Sequence, residues 1–186
     1  MVALAGCYSN NCPVENLVTC NYFFYDTDGK HIKYGDYVTV SAILPGGKNV
    51  YTYRRLGNPT ITSDVRRPDL IAANYVEREE YHRRDTVLVN QAKDKEFIQV
   101  EMSYFNPVDT LLFKYGSIST FDTVYVEHES FPHVDLPECG SFRYHRLKSV
   151  RATDAAIDHI EISNTTVNYD GAENIKIFFN GLDKGN

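Results

Sequence analysis

Cysteine is the residue type that offers the most chemistry in this chain of 186 residues, which contains four of them. Cys7 directly follows Leu4-Ala5-Gly6. A short apolar run that ends in Cys is typical of the cleavage box of a bacterial lipoprotein signal, in which the thiol becomes the site of lipid attachment. The sequence therefore predicts lipidation at Cys7 and a domain that folds outside the cytoplasm.

The residues around Cys7 form only part of a complete signal. A secretory signal has a basic region and an apolar stretch of roughly 7–15 residues before its cleavage site, whereas residues 1–6 contain neither Lys nor Arg. We therefore expect the true start to lie upstream. Residues 8–15 are polar and contain Pro13, which suits a tether between a lipidated Cys and a folded domain.

Three cysteines remain if Cys7 carries lipid, and an oxidising compartment favours one disulfide with one thiol left over. A bridge from Cys12 in the tether to Cys139 in a turn-like stretch would close a loop of about 130 residues, worth roughly 4–5 kcal/mol. The alternative is a bridge from Cys20 to Cys139. Cys20 lies in an alternating segment, where it would behave as a small buried hydrophobe. The spacing is not that of a zinc site.

The remaining reactive side chains do not have the spacing of a catalytic site. Cys139-Gly140-Ser141 resembles the start of a papain-type nucleophile motif, but too few residues follow it to hold the partner His. The six His residues are scattered, and we expect each to be a surface or half-buried strand residue. Paired Arg residues at 54–55, 66–67 and 83–84 are expected to be solvated charges. The sequence predicts no catalytic residue, no metal site and no cofactor.

Composition limits the partners of this chain. The net charge of −6 and the pI of about 5.5 argue against nucleic acid and against a basic membrane patch. No apolar run approaches the ~20 residues that span a bilayer, so we expect membrane attachment through lipid only. The 14 Tyr and 10 Phe residues suit a β-rich core. The absence of Trp weakens the case for a sugar-stacking surface.

Apolar residues alternate with polar ones along most of the chain, which predicts strands. We expect a strand at 17–25, a turn at 26–29, and a hairpin of 37–44 and 49–56 around a turn at 45–48. One short helix is predicted near 69–82, where Asp69 could cap it, and the alternative for this segment is an extended excursion. Further strands are predicted at 60–65, 86–89, 96–104, 110–114, 123–128, 142–150, 157–162 and 175–179.

Short strands at nearly regular spacing, without alternation of strands and helices, predict an all-β fold, an antiparallel immunoglobulin-like β-sandwich. We expect residues 1–15 to be the remnant of the lipoprotein box and the tether. Residues 16–181 would form a single β-sandwich domain. Residues 182–186 would form a flexible tail.

The C-terminal part of the chain carries a family resemblance. Glu138-Cys139-Gly140 precedes a strand, and Asn174-Ile175-Lys176-Ile177 opens the last one. Together with Cys7 and Cys12, these motifs resemble a family of uncharacterised small lipoproteins from Bacteroidetes-type bacteria. The resemblance covers about 120–179 and the N-terminus, and it is poor across about 45–105, where this chain carries extra residues.

This resemblance implies a location in the bacterial cell envelope, as an outer-membrane or periplasm-facing lipoprotein, and it supports the Cys12–Cys139 pairing. The family has no established activity, so it implies no catalytic residue. Three Asp-Thr-aliphatic triplets also resemble an O-glycosylation acceptor of such envelopes, which would modify Thr86, Thr110 and Thr123. The other interpretation of the triplets is a polar turn residue before a strand.

We therefore expect a lipid-anchored cell-envelope protein with a binding or assembly role toward an envelope protein or a glycan. The alternatives are an enzyme that processes envelope material or polysaccharides, and a glycan-binding module. A deep pocket with converging carboxylates or a His pair would favour the enzyme. A flat, Tyr-rich face or an exposed sheet edge would favour binding.

Overall fold

The computed structural model describes residues 18–116, 121–134 and 141–180. This part of the chain is almost entirely β-structure, with one short helix. The elements in chain order are β1 (Thr19–Tyr25), β2 (Val38–Arg54), β3 (Ile61–Ser63), α1 (Pro68–Ala72), β4 (Val76–Ala92), β5 (Phe97–Glu101), β6 (Val108–Tyr115), β7 (Phe121–His133), β8 (Phe142–Ala152), β9 (Ile157–Ile162), β10 (Thr166–Val167) and β11 (Ile175–Phe179).

The described residues divide into two compact units. Unit 1 contains the residues up to Ser41 and those from Val87 onward, and unit 2 is Ala42–Thr86. The chain enters unit 2 along β2 and leaves it along β4. The expectation of a single domain over 16–181 stays a prediction.

Unit 1 contains a four-stranded sheet in the order β5-β1-β11-β9. β1 is antiparallel to β5, and β11 is antiparallel to β9. β1 and β11, by contrast, run parallel, with Tyr22 opposite Ile175. Parallel neighbours cannot be joined by a hairpin, and here the pair joins the first described strand to the last.

The second sheet runs β10-β8-β7-β6 and continues to β2, which begins in unit 1. β6, β7 and β8 pair antiparallel. The register of β7 and β8 shifts between Glu127 and His128, which places His128 opposite Leu147. The two sheets pack as a sandwich, so the predicted β-sandwich is confirmed.

The core of unit 1 follows from strand alternation, because every second side chain points to the same side of a sheet. Tyr22 and Phe24 of β1 are buried, and the ring of Tyr22 meets that of Phe113 edge to face, with centroids 5.7 Å apart. The other fully buried apolar side chains of this core include Leu111, Leu112, Val124, Val126, Ile157, Ile175, Ile177 and Phe179.

A carboxylate is also buried in unit 1. Asp122 has no exposed surface, and it accepts hydrogen bonds from the backbone N–H groups of Ala155, Ala156 and Ile157 at 2.8–3.1 Å. It also accepts from the hydroxyls of Thr153, at 2.8 Å, and Tyr115, at 3.1 Å. Four of these donors attach residues 153–157 to the start of β7, and the fifth, Tyr115, attaches the end of β6. Burial and the Asp122 charge raise the pKa of the Tyr115 hydroxyl.

Unit 2 is organised differently. Within residues 42–86, all of which the structure describes, Tyr53 is the only apolar side chain that is buried. Its hydroxyl donates to Glu77 Oε2 at 2.9 Å and accepts from the backbone N–H of Arg67 at 2.6 Å. Glu77 also accepts from Arg66 Nε at 3.0 Å. Hydrogen bonds and ion pairs around one Tyr replace an apolar core here.

The predicted hairpin around 45–48 is wrong, because β2 continues through these residues to Arg54. Gly46 has a φ of +85°, which bends the strand without ending it. The neighbouring Gly47 lies so close to the Tyr81 phenol that a side chain at this position would collide with it. Gly46 therefore permits the bend in β2, and Gly47 permits the close approach of the Tyr81 side chain.

The predicted helix near 69–82 is confirmed only at its start. α1 ends at Ala72, Asn74 takes a φ of +62°, and β4 begins at Val76. Asp69 lies in the first turn instead of capping the helix, and its carboxylate accepts from the Arg67 guanidinium at 2.6 Å. The charged residues that follow Val76 belong to a strand.

The other predicted elements are confirmed within the described residues. β9 and β11 have the predicted bounds, and every other predicted strand overlaps an observed one, whereas β10 has no predicted counterpart. The turn after β1 is fixed by Asp26, whose Oδ1 accepts from the backbone N–H groups of Asp28 and Lys30. Gly29 has the positive φ that such a turn requires.

Candidate functional site

The outer side of the four-stranded sheet carries a row of aromatic side chains, which we call the aromatic face. Its rings come from all four strands and from the segment after β1. In spatial order they belong to Phe97, Phe23, His31, Tyr25, Phe178 and His159.

The rings of the aromatic face pack against one another across the strands. Phe97 and Phe23 are register partners whose rings stack at 4.8 Å. Phe178 stacks on Tyr25 at 5.2 Å and on His159 at 4.0 Å. Tyr25 and Phe178 at the centre of the row are only 7% and 9% exposed, whereas Phe97 at one end is 41% exposed. Solvent therefore reaches the outer rings more than the central ones.

Polar groups fix the centre of the aromatic face. The Tyr25 hydroxyl donates to Glu173 Oε2 at 2.6 Å, so His31 Nε2, 2.7 Å away, is the donor in its second hydrogen bond. Burial, followed by the bond to Glu173, raises the pKa of Tyr25. Lys176 lies 5.5 Å from the centre of the Tyr25 ring and 3.4 Å from Glu161. The face is therefore ordered before any partner arrives.

A second feature of unit 1 is the segment 102–108, which follows β5 and ends on the first residue of β6, and which we call the Phe105 loop. Phe105 is 90% exposed and Tyr104 is 55% exposed. The backbone N–H of Ser103 donates to Asp109 Oδ2 at 3.0 Å, and Ser103 Oγ accepts from the N–H groups of Phe105 and Asn106. An exposed aromatic side chain is thus carried by a hydrogen-bonded turn.

A chain of buried polar side chains lies beneath this loop. Asp109 Oδ2 is 3.1 Å from His128 Nε2, and His128 Nδ1 is 3.2 Å from His145 Nδ1. Both imidazoles are buried, and the Tyr104 ring lies 6.1 Å from that of His145 in a nearly parallel orientation. The backbone N–H of His128 also donates to Pro107 O at 2.9 Å. We call Asp109, His128 and His145 the histidine chain.

The chemistry of the three groups assigns the protons in the histidine chain. A carboxylate only accepts, so His128 Nε2 carries a hydrogen. Burial and the nearby His128 lower the pKa of His145 to about 4, which keeps its imidazole neutral near pH 7. A neutral His145 that donates from Nδ1 to His128 leaves a lone pair on its own Nε2, and this buried atom has no hydrogen-bond partner.

The profile of one protein family matches residues 75–179, which run from just before β4 to the end of β11. It describes a family of unknown function, DUF6452. This chain belongs to that family. The matched residues include the whole histidine chain and the Phe105 loop. No curated protein and no solved structure matches the chain significantly.

The cysteines predicted to be modified in this DUF6452 member, Cys7, Cys12 and Cys139, lie outside the described residues. Cys20 is a free thiol in the core side of β1. Burial raises the pKa of this thiol, so it stays protonated. Within residues 18–116, 121–134 and 141–180, no helix has the length and apolar content needed to cross a bilayer.

The three threonines predicted to carry glycans lie on strands. Thr86 is exposed on β4, whereas Thr110 on β6 and Thr123 on β7 are half-buried. Their modification stays a prediction. The preceding Asp109 and Asp122 are more than turn residues, since one supports the Phe105 loop and the other joins β7 to the segment before β9.

The expectation that every His is exposed or half-buried is wrong for His128 and His145, which are 1% and 0% exposed. A sequence signal existed: His128 continues the alternation of Val124 and Val126, and His145 stands two residues before Leu147. It was missed because the partner Asp109 lies on another strand. Among the described residues, no three His, Cys, Asp or Glu side chains converge on a metal position.

The structure pairs several of the Arg residues with carboxylates in unit 2. Arg66 contacts Glu77 at 3.0 Å and Arg67 contacts Asp69 at 2.6 Å. Their side chains remain about half exposed or more. These two agree with the interpretation of solvated, balanced charges.

Proposed function

We propose that this DUF6452 member is a lipid-anchored cell-envelope protein of a Bacteroidetes-type bacterium, attached through Cys7, with a binding or assembly role. The observation that carries the binding role is the aromatic face, which is already ordered. Ordering side chains on association costs conformational entropy, and rings that are already stacked have lost that entropy before a partner binds. Aromatic side chains also contribute a large share of the energy at protein interfaces.

The buried Cys20 supports the cysteine part of the proposal. A core thiol with a raised pKa reacts slowly in disulfide exchange. Cys12 and Cys139 are then the pair that an oxidising compartment would join, and Cys20 is the thiol left over. Non-reducing peptide mapping of the mature protein tests the pairing, and a peptide that links Cys20 to Cys139 would contradict it.

The anchor is tested by fractionation of the native host. The wild-type chain is expected in the membrane fraction, and Cys7→Ala is expected to release it. Retention of Cys7→Ala in the membrane would contradict lipidation at this residue. Thr62→Ala, a change at an exposed position of β3 in unit 2, serves as the matched control.

The binding role is tested by removing the two outermost rings of the aromatic face. Phe97→Ala with His159→Ala is expected to abolish co-purification of the envelope partners that wild type retains. The control is Tyr81→Ala, which removes an exposed ring in unit 2. An unchanged partner set in the double variant would contradict binding through this face.

A glycan ligand is the second candidate, and the ends of the aromatic face favour it. Phe97 and His159 each have a ring partner on one side only among the described residues, so each has a flat side on which a sugar could stack. The enzymatic alternative has a His pair in its favour, but His128 and His145 are closed to solvent. Binding of envelope polysaccharide that is lost in Phe97→Ala would identify the glycan role.

A further inference from the structure

We propose that the Phe105 loop inserts into the lipid–water interface of a membrane, with Phe105 and Tyr104 as the inserted side chains. The proposal deepens the proposed function and rests on it, because the anchor at Cys7 would hold the domain at a membrane surface. It names the lipid surface as a second partner, distinct from whatever binds the aromatic face.

The composition of the loop suits an apolar surrounding. Residues 102–108 contain no Asp, Glu, Lys, Arg or His. Phe105, Tyr104 and Val108 are 90%, 55% and 44% exposed. Tyr combines an apolar ring with a hydroxyl that can stay in water, which is why it accumulates at membrane interfaces. The loop thus offers an uncharged apolar tip.

Several backbone groups of the loop are already hydrogen-bonded, and this lowers the cost of entering lipid. An unpaired N–H group in an apolar medium costs several kcal/mol. Here the N–H of Ser103 donates to Asp109, and those of Phe105 and Asn106 donate to Ser103 Oγ. Pro107 has no N–H, and its carbonyl accepts from His128.

The histidine chain holds this tip in place from below. Asp109 Oδ2 accepts from both Ser103 and His128, so one carboxylate joins the loop to β7. The N–H groups of Ser103 and His128 are thus paired within the protein. The exposed polar side-chain groups of the loop include the Asn106 amide and the Tyr104 hydroxyl, which are uncharged, and an uncharged tip that combines aromatic rings with such groups suits a lipid–water interface.

Charges next to the loop define the kind of membrane. Glu101 ends β5, and Glu127 lies opposite Val108 in the pairing of β6 with β7. Both carboxylates are exposed. They repel an anionic surface at low salt. We therefore expect insertion into zwitterionic bilayers and weaker insertion when anionic lipid is added.

The chain contains no Trp, so Phe105→Trp provides a single fluorescent reporter in the full-length chain that carries Cys7→Ala. Its emission is expected to shift to the blue on addition of phosphatidylcholine vesicles and to be quenched by brominated lipid. Phosphatidylglycerol in the vesicles should reduce the shift. The matched control is Leu56→Trp, fully exposed in unit 2, whose emission should not change.

Sedimentation with the same vesicles gives a second readout. The fraction of protein bound to lipid is expected to fall about tenfold in Phe105→Ser, in line with the loss of one buried aromatic side chain. Unchanged emission of the Phe105→Trp variant with vesicles would overturn the proposal. A blue shift that depends on protein concentration without vesicles would overturn it in favour of self-association.

The anchor at Cys7 and the insertion of the Phe105 loop can be contradicted independently of each other. Release of the wild-type chain from host membranes contradicts the anchor at Cys7, whatever the fluorescence shows. An unchanged emission contradicts insertion of the loop, even where the anchor is confirmed.

Discussion

Unit 1 buries aliphatic and aromatic side chains between two sheets and surrounds its buried Asp122 with five donors, whereas unit 2 buries Tyr53 alone. Their charges differ as well. Unit 2 has eight Lys and Arg against six Asp and Glu, and the rest of the chain has eleven against nineteen. Both candidate surfaces lie on unit 1. A binding surface that must be ordered in advance needs a stable support, and the apolar core of unit 1 supplies it.

The largest effect that separates the units is expected for Asp122→Ala. The change leaves the N–H groups of residues 155–157 without Asp122 as their acceptor, and the bonds from Ala156 and Ile157 are buried. Each unpaired buried donor costs about 1–3 kcal/mol. We expect the free energy of unfolding to fall by about 3 kcal/mol or more in urea denaturation. Asp154→Ala, at an exposed position nearby, is the control. A loss below about 1 kcal/mol would show that the Asp122 network is not what stabilises this part of unit 1.

The next largest effect is a loss of unfolding free energy at acidic pH, caused by His145 of the histidine chain. The pKa of His145 is about 4 in the folded protein and about 6.5 when unfolded, so the unfolded state binds the proton first. The free energy of unfolding is therefore unaffected by the titration of His145 above pH 6.5. As pH falls from 6.5 to 4, protonation of the unfolded state lowers it by up to about 3 kcal/mol.

The measurement is the free energy of unfolding against pH for wild type and His145→Gln, which can still donate to His128. The variant should lose less stability between pH 6.5 and 4 than wild type. His128, Asp109 and Arg143 are the charged or titratable groups that act on His145. Parallel curves for the two proteins would mean that His145 does not titrate as the structure implies.

A smaller and local effect is expected in unit 2. Tyr53→Phe keeps the buried ring but removes the hydroxyl that joins Glu77 to the backbone of Arg67. Amide hydrogen exchange should speed up within 42–86 and stay unchanged in β1, β7 and β11. Faster exchange in these three strands would show that Tyr53 also stabilises unit 1.

The smallest effect is expected for Lys48→Ala. Its ammonium lies 3.9 Å from Asp64, and both side chains are about two-thirds exposed. Exposed ion pairs contribute little, because water and salt screen them. The urea midpoint should therefore match that of wild type, and a clear decrease would show that surface charge stabilises unit 2 more than we infer.

The sequence allowed the strands to be predicted where alternation and turn residues agree. The bounds of β9 and β11 are identical to the predicted ones, with Asn174 and Asn180 on either side of β11 and Ser163 after β9. The parallel pairing of β1 with β11 could not be predicted, since it joins residues about 150 positions apart and no local pattern encodes it. The Gly46-Gly47 pair suggested a turn, but in the structure it permits a bend in β2 and the close approach of the Tyr81 ring.

The candidate surfaces were largely hidden from sequence reasoning for the same reason. The alternation of β1 and β11 places Tyr25 and Phe178 on the outer side of their strands. Only the register brings the two rings together. The histidine chain likewise depends on the pairing of three strands, since Asp109 lies on β6, His128 on β7 and His145 on β8. Sequence patterns indicate which side of a strand a residue occupies, and tertiary pairing determines what it contacts.

Hydrogen exchange of the full-length wild-type chain, followed residue by residue, tests the central contrast most directly. We predict that the amides of β1, β6, β7 and β11 exchange only through global unfolding and share one high free energy of opening. Those of residues 42–86 should exchange through local opening at much lower free energy. Equal protection of the two units would contradict the account, because it would mean that unit 2 is as firmly stabilised as the unit that carries the candidate surfaces.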